Sequence, residues 1–512
     1  MLSKIISAAI LGVDGYIVHA EVDVNQGLPA FDIVGLPDSA VKESRERVRT
    51  AIRNADLPFP VKRITVNLAP ADTRKVGSAF DVPIAVGILC CMGVIAQEDV
   101  QNIFFTGELS LDGVLRPVNG VLPMVLAARD NGITTCCVPA ENAAEAALVN
   151  GMRVLPVTHL YDIVNHFTQI SHLKTAVYDT SVEKSTFDID FYDVKGQQFV
   201  KRALEVAAAG SHNVLIIGPP GAGKTMLARR MPTILPSLTI DESLEITKIY
   251  SISGLLNKNK DSSRQARITI RPFRSPHHTA SAAALAGGGS IPMPGEISLA
   301  HNGILFLDEL PEFEKRTLEI LRQPLEDGHV TISRANGTLT YPSNFMLLAS
   351  MNPCPCGYFG ASNTNKNCNC TQNEIDRYLR KVSGPMLDRI DIQVEATNLD
   401  YEELGQQPSE TSADIKSRVV QAHAIQQERF KKEEIHNNSQ MTSPMVDKYC
   451  ALGTNEKALI RQAFDRLGLS ARAYHKILKM ARTIADLENS NDINVVHITE
   501  ALSYRSLDRK YW

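Results

Sequence analysis

The stretch GPPGAGKT, residues 218–225, restricts the fold of this 512-residue chain more than any other feature. It fits the phosphate-binding pattern GxxxxGK[ST] and lies between an apolar run, Val214–Ile217, and a helix-like run, 226–230. Such a strand, turn and helix start surround phosphates with backbone N–H groups and the positive end of a helix dipole. Lys224 is expected to reach the β- and γ-phosphates of ATP, and Thr225 to bind Mg²⁺. The predicted nucleotide-binding residues are Gly218, Pro219, Pro220, Gly221, Ala222, Gly223, Lys224 and Thr225.

Two later apolar runs end in polar residues that suit ATP hydrolysis. About 80 residues after the loop, the run 304–307 leads into Asp308 and Glu309. Asp308 is expected to hold Mg²⁺ through water ligands, and Glu309 to polarise the attacking water. The run 345–350 leads to Asn352, which is expected to orient that water. ATP and Mg²⁺ are therefore the predicted cofactors.

The composition is that of an ordinary globular protein, with 44% hydrophobic and 21% charged residues and a net charge of −4. This balance gives no chain-wide signal for nucleic acid, so any such signal has to be local. No apolar run reaches the roughly 18 residues that suggest a membrane span, and the N-terminal apolar stretch lacks a small-residue cleavage site. Nine cysteines, an odd number, indicate reduced thiols. We expect a cytoplasmic protein without a membrane partner.

Residues 1–168 mix strands and helices, and the polar segment 169–189 is a predicted linker. The pattern predicts an amphipathic helix at Ser39–Asn54 and a hairpin within 104–118. Over residues 68–129 this layout resembles the protease domain of Lon, an α+β module similar to domain 2 of ribosomal protein S5. The resemblance predicts an N-terminal Lon-protease-like domain.

Lon-type proteolysis needs a serine nucleophile and a lysine that acts as its base. Ser78 lies near the matching position, but a gapless comparison places Ala79 there. The lysine position holds Leu122, which cannot accept a proton. We therefore expect a non-proteolytic domain. Arg74 and Lys75 are interpreted as part of a solvated loop, with a binding surface as the alternative.

The predicted ATPase core covers residues 190–397, and the predicted helical lid covers 398–512. In AAA+ ATPases the segment that enters the core borders the adenine pocket, so the resemblance assigns Val194 to nucleotide binding. Ser470 is a predicted helix N-cap. Arg472, in the first turn of that helix, is expected to contact the nucleotide as a second sensor.

The segment 383–391 resembles the part of ring ATPases that provides an arginine to the neighbouring subunit. Such an arginine stabilises the charge that develops on the γ-phosphate. Arg389 is the favoured candidate, and Arg377 and Arg380 are its rivals.

A second hairpin and a local excess of basic residues are candidate contacts with DNA. Alternating residues flank an Asn-Gly turn within 330–340, which predicts a hairpin. In ring helicases such a hairpin points into the central pore, and Arg334 would lie near its tip. The alternative is a hairpin that only packs against a neighbouring subunit. The basic stretch 258–274 adds Arg271 and Arg274 as candidate contacts with phosphate.

Two groups of side chains have the residue types that bind transition metals. His277 and His278 are adjacent, and on a strand their side chains would point to opposite faces, which disfavours a shared metal. Four cysteines in a short loop are candidate ligands for a structural Zn²⁺, with free thiols as the alternative. They are Cys354, Cys356, Cys368 and Cys370.

Four segments carry a resemblance to the magnesium-chelatase-like AAA+ ATPases and, within them, to the ComM family of competence proteins: 271–279, 294–313, 351–357 and 383–391. The resemblance implies an α/β AAA+ core with a parallel sheet, an N-terminal α+β domain and a C-terminal helical lid. It also implies a homo-hexameric ATPase that binds single-stranded and branched DNA. Such a helicase would drive branch migration, together with recombination proteins, so that incoming DNA is integrated during natural transformation.

Two other functions remain open at this point. A chelatase-type AAA+ protein would remodel a protein partner with the same ATPase residues, although chelatase motor subunits lack the Lon-like domain. An ATP-dependent protease would need the lysine that Leu122 replaces.

Overall fold

The structure, a computed structural model, describes residues 1–178, 187–256, 266–289, 292–334, 337–360, 367–398, 410–467, 470–507 and 511. The chain forms two compact units. Unit 1 consists of Met1–Lys184 and Ile240–Ile268, and unit 2 of Ser185–Thr239 and Thr269–Trp512. Among the described residues, no helix combines the length and apolar character needed to cross a membrane.

Unit 1 is an α+β structure built on a seven-stranded mixed sheet with the order β3-β4-β2-β1-β5-β8-β9. Its strands are β1 Leu2–Leu11, β2 Asp14–Asn25, β3 Ala30–Val34, β4 Arg63–Ala69, β5 Ile103–Phe105, β6 Glu108–Leu109, β7 Leu115–Arg116, β8 Thr135–Pro139 and β9 Arg153–Val157. Its helices are α1 Ser39–Asn54, α2 Asp81–Cys91, α3 Gln97–Val100, α4 Val121–Asp130, α5 Ala143–Ala146, α6 Leu160–Phe167 and α9 Ile240–Ile252.

The core of unit 1 follows from its hydrophobic patterns. Strands β1 and β2 pair antiparallel with alternating burial, as expected for strands with one covered face. Helix α2 is buried over nearly its whole length because it packs against β1, β2 and α1. The predicted helix at Ser39–Asn54 is confirmed as α1, and β6 and β7 form the predicted hairpin.

Helix α9 belongs to unit 1, although its residues fall within the range predicted for the ATPase core. Ser251 donates its hydroxyl hydrogen bond to the buried carboxylate of Glu145, and its carbonyl accepts the Gly120 N–H at 3.1 Å. Lys248 pairs with Asp14 at 3.6 Å, and Leu244 packs on the apolar cluster around α4. The N-terminal unit is therefore completed by a helix from the middle of the chain, whereas the domain boundaries given above remain predictions.

Unit 2 contains the nucleotide-binding loop and the C-terminal helices. Its strands are β10 Val214–Ile217, β11 Phe273–Arg274, β12 Gly287–Gly288, β13 Met293–Pro294, β14 Ile304–Leu307, β15 His329–Arg334, β16 Gly337–Pro342, β17 Met346–Met351 and β18 Ile392–Glu395. Its helices are α7 Gln198–Gly210, α8 Lys224–Ile234, α10 Ala282–Ala286, α11 Glu296–Leu299, α12 Lys315–Ile320, α13 Arg322–Asp327, α14 Gln372–Leu379, α15 Gly384–Leu387, α16 Ser412–Arg429, α17 Ser443–Tyr449, α18 Thr454–Leu467, α19 Ala471–Leu487 and α20 Val495–Ser503.

The centre of unit 2 is a five-stranded sheet with the order β11-β14-β17-β10-β18, in which every pair is parallel. Strands β10, β14 and β17 are buried at every residue, as parallel strands covered on both faces usually are. One apolar core joins this sheet to α7, α8, α16 and α19. The C-terminal ends of β10, β14 and β17 meet at one edge of the sheet, where ligands of open α/β sheets bind.

Strands β15 and β16 form the second predicted hairpin. They pair antiparallel from His329 with Pro342 to Arg334 with Gly337. The turn residues Ala335 and Asn336 and the side chain of Arg334 lie outside the described residues. The hairpin precedes β17, so it is continuous with the strand that leads to Asn352.

Candidate ATP-hydrolysis site

The phosphate-binding loop connects β10 to α8 in a conformation that requires glycine. Gly221 and Gly223 have positive φ angles of 84° and 80°, which other residues rarely adopt. A Cβ atom at Gly218 would lie 2.3 Å from the carbonyl oxygen of Ala396. The loop therefore combines left-handed backbone with close packing, and Lys224 becomes the first residue of α8.

The ammonium group of Lys224 is held inside the loop. It donates hydrogen bonds to the carbonyl oxygens of Gly218 at 2.6 Å and Pro219 at 2.9 Å. A third bond, of 3.0 Å, goes to the side-chain oxygen of Asn352. Burial lowers the pKa of Lys224 to about 8, although the charge of Asp308 acts in the opposite direction. The predicted phosphate-binding and water-orienting residues are thus in direct contact.

The structure also brings together the two residues expected to hold Mg²⁺. The hydroxyl of Thr225 donates a 2.7 Å hydrogen bond to one oxygen of Asp308, and Ser350 donates to the other. A hydroxyl beside a carboxylate supplies the hard oxygen ligands that Mg²⁺ prefers, so the residues fit this ion. Mg²⁺ held by Thr225 and Asp308 would supply positive charge that stabilises the charge developing on the phosphates. Ser350 was not predicted as a site residue, and its place one residue before the end of β17 is its only sequence signal.

Glu309 adopts a left-handed backbone conformation with φ of 54°. Non-glycine residues with such angles are concentrated at functional sites. The Glu309 N–H donates to Asp308 at 3.1 Å, and the exposed carboxylate lies 3.5 Å from Nδ1 of His278. This orientation leaves the Glu309 carboxylate accessible to a water molecule beside the Asp308 site.

The expectation that His277 and His278 point to opposite faces is wrong. Their ring centroids are 4.1 Å apart because both residues follow β11 in a turn and are not part of the strand. His278 contacts Glu309, so it is a site residue that was not predicted from the sequence. Its signal was only its position in the family-specific segment 271–279.

The segment that enters unit 2 lies against the phosphate-binding loop. Val194 is buried, and its carbonyl oxygen accepts a hydrogen bond from Lys201. The Gln197 side chain donates to the carbonyl oxygen of Ala222 at 3.4 Å. The contact of Val194 with adenine remains a prediction.

The candidate arginines differ in how they are held. The Arg389 guanidinium donates to the carbonyl oxygen of Pro385 at 2.5 Å and to the carboxylate of Glu326. Arg377 and Arg380 are exposed on and just after α14. Arg389 is thus engaged within its own chain, and its role as the arginine supplied to a neighbouring subunit remains a prediction, as do those of Arg377 and Arg380.

Arg472 lies in the first turn of α19, as predicted. Ser470 is confirmed as the N-cap, since its hydroxyl accepts the Ala473 N–H at 3.2 Å. The Arg472 side chain is exposed and lies 3.8 Å from Asp388. The structure therefore places Arg472 beside the arginine segment, and its contact with nucleotide remains a prediction.

Two predicted DNA-contacting arginines are engaged in structural contacts. Arg271 donates to the carbonyl oxygens of Pro236 at 2.7 Å and Asn302 at 2.8 Å. Arg274 forms a bidentate pair with Glu296, with distances of 2.6 and 2.7 Å. Their role in DNA binding stays a prediction.

In the Lon-like region, the residues near the positions of the Lon serine and lysine make structural contacts. Ser78 donates to the carboxylate of Glu108, and Leu122 is fully buried. The interpretation of Lys75 as part of a solvated loop is wrong. This side chain is buried, and its ammonium donates to the carbonyl oxygen of Pro70 and, at 2.8 Å, to that of Thr73.

The parallel sheet and the Lys224, Asp308 and Asn352 cluster define a P-loop ATPase of the AAA+ class. Three protein-family models match the chain. The model of magnesium chelatase, subunit ChlI, matches residues 190–404, and the model of subunit ChlI of Mg-chelatase matches residues 20–142. The model of the C-terminal region of magnesium chelatase subunit ChlI matches residues 409–505. The family implies an ATPase that uses ATP and Mg²⁺.

The relatives extend over nearly the whole chain. Competence protein ComM of Haemophilus influenzae is 43% identical over 517 residues, covering 99% of this chain and 98% of that protein. Uncharacterized protein YifB of Salmonella typhimurium is 44% identical over 510 residues, with the same coverage. The chain belongs to the ComM family. A Lon protease of Rhizobium meliloti is 26% identical over 167 residues, 30% of this chain and 20% of that protein, consistent with the Lon-like region.

Proposed function

We propose that this protein is an ATP-driven DNA motor that works in the cytoplasm as a homo-hexameric ring. It binds single-stranded and branched DNA and acts as a helicase. By driving branch migration, together with recombination proteins, it integrates incoming DNA during natural transformation. The relative named competence protein ComM supports this role.

Hydrolysis is assigned to the residues grouped at the edge of the sheet. Lys224 binds the phosphates, and Thr225 and Asp308 hold Mg²⁺. Glu309 accepts a proton from the attacking water, which Asn352 orients. A neighbouring subunit supplies an arginine, for which Arg389, Arg377 and Arg380 are the candidates, and Arg472 acts as a second sensor. Val194 borders the adenine.

The β15–β16 hairpin is the feature that supports a coupling between ATP hydrolysis and the movement of DNA. It leads directly into β17, the strand that ends at the Asn352 sensor. A movement of Asn352 when the γ-phosphate is lost would therefore be transmitted to the hairpin through the backbone of β17. Arg334 ends β15 beside the turn, where a cation can contact a DNA phosphate. Arg271 and Arg274 are secondary candidates for such contacts.

A chelatase-type remodeller of a protein partner is the second candidate function. It is favoured by the three matching family models, all of which describe a chelatase subunit. An ATP-dependent protease is a weaker alternative because Leu122 carries no ionisable group. A casein-degradation assay separates the protease from the other two.

Branch migration of a synthetic four-way DNA junction tests the motor proposal. We expect the wild type to hydrolyse ATP faster when DNA is present and to move the junction. Lys224→Ala should lose ATP binding, and Glu309→Gln should bind ATP but hydrolyse it about 10²–10⁴-fold more slowly.

Glu314→Gln is the matched control, since this exposed residue follows Glu309 closely and lies outside the site. It should behave as wild type. A wild-type protein that hydrolyses ATP but neither binds DNA nor moves the junction would contradict the motor and favour the remodeller.

A further inference from the structure

Four cysteines that ATP hydrolysis does not use converge on one point in unit 2. They follow β17 and precede α14, and their sulfur atoms all lie within 4.8 Å of one another. Sulfur–sulfur distances are 3.3 Å for Cys354–Cys356, 3.7 Å for Cys354–Cys368 and 3.5 Å for Cys356–Cys368. A tetrahedron with Zn–S bonds of 2.3 Å has edges of about 3.8 Å. All four are free thiols in a spacing that one ion can bridge.

The backbone around the first pair is arranged to support a sulfur ligand. The Phe359 N–H donates to the sulfur of Cys354 at 3.3 Å, and the Gly357 N–H donates to the Cys354 carbonyl at 3.0 Å. Hydrogen bonds to ligand atoms orient them and tune their basicity, as in known metal sites. Cys354 is fully buried, so its sulfur has little access to water.

The cluster lies against the phosphate-binding loop. Gly357 has a positive φ of 87°, and a Cβ atom there would lie 2.6 Å from Cδ of Pro220. Asn352, which accepts a hydrogen bond from Lys224, precedes Cys354 by two residues. The conformation of residues 354–357 therefore affects where the Asn352 side chain lies.

The second cysteine pair leads into the arginine segment. Cys370 precedes Thr371, which caps α14 in a capping box with Glu374. Tyr378 of α14 is buried and lies close enough to the Asn352 backbone to interact with it electrostatically. One ion at the four sulfurs would thus join the sensor strand, the phosphate-binding loop and the helix that carries Arg377.

We propose that Cys354, Cys356, Cys368 and Cys370 bind one Zn²⁺, which fixes Asn352 and α14 against the phosphate-binding loop. Four thiolates are a closed tetrahedral ligand set, which is typical of structural zinc and leaves no position for substrate. The close sulfur spacing suits a single ion. Zinc binding is independent of the proposed DNA motor, whereas the positioning role rests on the ATPase activity.

Metal analysis of the purified full-length protein tests the binding. We expect one zinc per chain by mass spectrometry of the metals, and its loss in Cys368→Ser. The matched control is Cys91→Ser, because a hydroxyl can keep the bonds of Cys91 to the carbonyl oxygens of Met1 and Val22. Wild-type protein with no bound metal, with iron in place of zinc, or with a disulfide within the cluster would overturn the proposal.

A second measurement uses the wild type and does not depend on how a variant folds. Zinc is removed with a chelator, ATP hydrolysis is measured, and zinc is then restored. We expect kcat to fall by about 10²-fold, because a small misplacement of a positioning group has that effect, with little change in KM. Added Zn²⁺ should restore kcat. Zinc-free protein with unchanged kcat would overturn the positioning role, and neither result depends on DNA.

Discussion

Asp391 is a buried carboxylate that joins three segments of unit 2. It lies 2.8 Å from Lys476 of α19 and 3.5 Å from His212, and it accepts the Asn213 N–H at 3.1 Å. Burial alone would raise its pKa, but Lys476 and His212 more than offset this and hold it well below the usual range. The ionised form is therefore favoured in the folded protein.

Replacing Asp391 with asparagine should destabilise the protein. Lys476 would lose its partner, and breaking a buried ion pair costs about 3–5 kcal/mol. Asp388→Asn, at an exposed pair with Arg472, should cost about 0–1 kcal/mol. Urea unfolding followed by circular dichroism measures both. Equal losses in the two variants would contradict the assigned role.

The same residue gives a pH dependence with a defined sign. The pKa of Asp391 in the folded protein is below its usual value of 3.8. Asp391 therefore contributes to the free energy of unfolding above pH 3.8, and this contribution is lost as the pH falls below 3.8. In Asp391→Asn, the part of the loss of stability at low pH that comes from protonating Asp391 should be absent.

At the active site, local patterns predicted the positions of Lys224, Thr225, Asp308 and Asn352, because each follows a recognisable strand. The contacts of Ser350 and His278 were not predictable. They join residues about 30 to 40 positions apart, with no periodicity to signal the pairing.

Among the elements, the β15–β16 hairpin was predictable because alternation and an Asn-Gly turn are local signals. The structure confirms the pairing from His329 to Pro342. The turn at His277 and His278 was missed, although Ser275-Pro276 directly after β11 is a local signal that ends a strand and starts a turn.

Arg334→Ala should weaken DNA binding similarly for all sequences. Loss of one phosphate contact per chain should reduce the slope of log K against log salt by about 0.7–0.9 for each chain of the ring that contacts DNA. Fluorescence anisotropy at several salt concentrations measures this slope. Lys448→Ala removes the same charge from an exposed residue paired with Glu433 and should leave the slope unchanged. Equal slopes for Arg334→Ala and wild type would exclude this contact.

At the scale of the whole molecule, the chain passes between the two units three times, at 184/185, 239/240 and 268/269. The linker at 169–189 is predicted from its polar composition and stays a prediction. The return of α9 to unit 1 was not predictable, because apolar residues on a helix predict burial but do not identify the surface that covers them.

Cleavage of the chain within the 169–189 linker should leave two fragments that stay together. Helix α9 belongs to the C-terminal fragment but remains packed on unit 1 through Leu244 and Ser251. An engineered protease site and gel filtration test this expectation. Leu244→Asp should separate the fragments, whereas Ile240→Asp, at an exposed position of the same helix, should not. Separation of the fragments without any substitution would contradict the role of α9.

Because α9 is part of unit 1, it also determines which segments of the chain can be exchanged between related proteins. A chimera joined at the linker would pair one protein's sheet with another protein's helix, leaving Glu145 opposite an unmatched surface. The transferable module is discontinuous and consists of Met1–Lys184 together with Ile240–Ile268. Recombination during evolution would have to carry both segments, so the N-terminal unit and the ATPase that interrupts it are inherited as one piece.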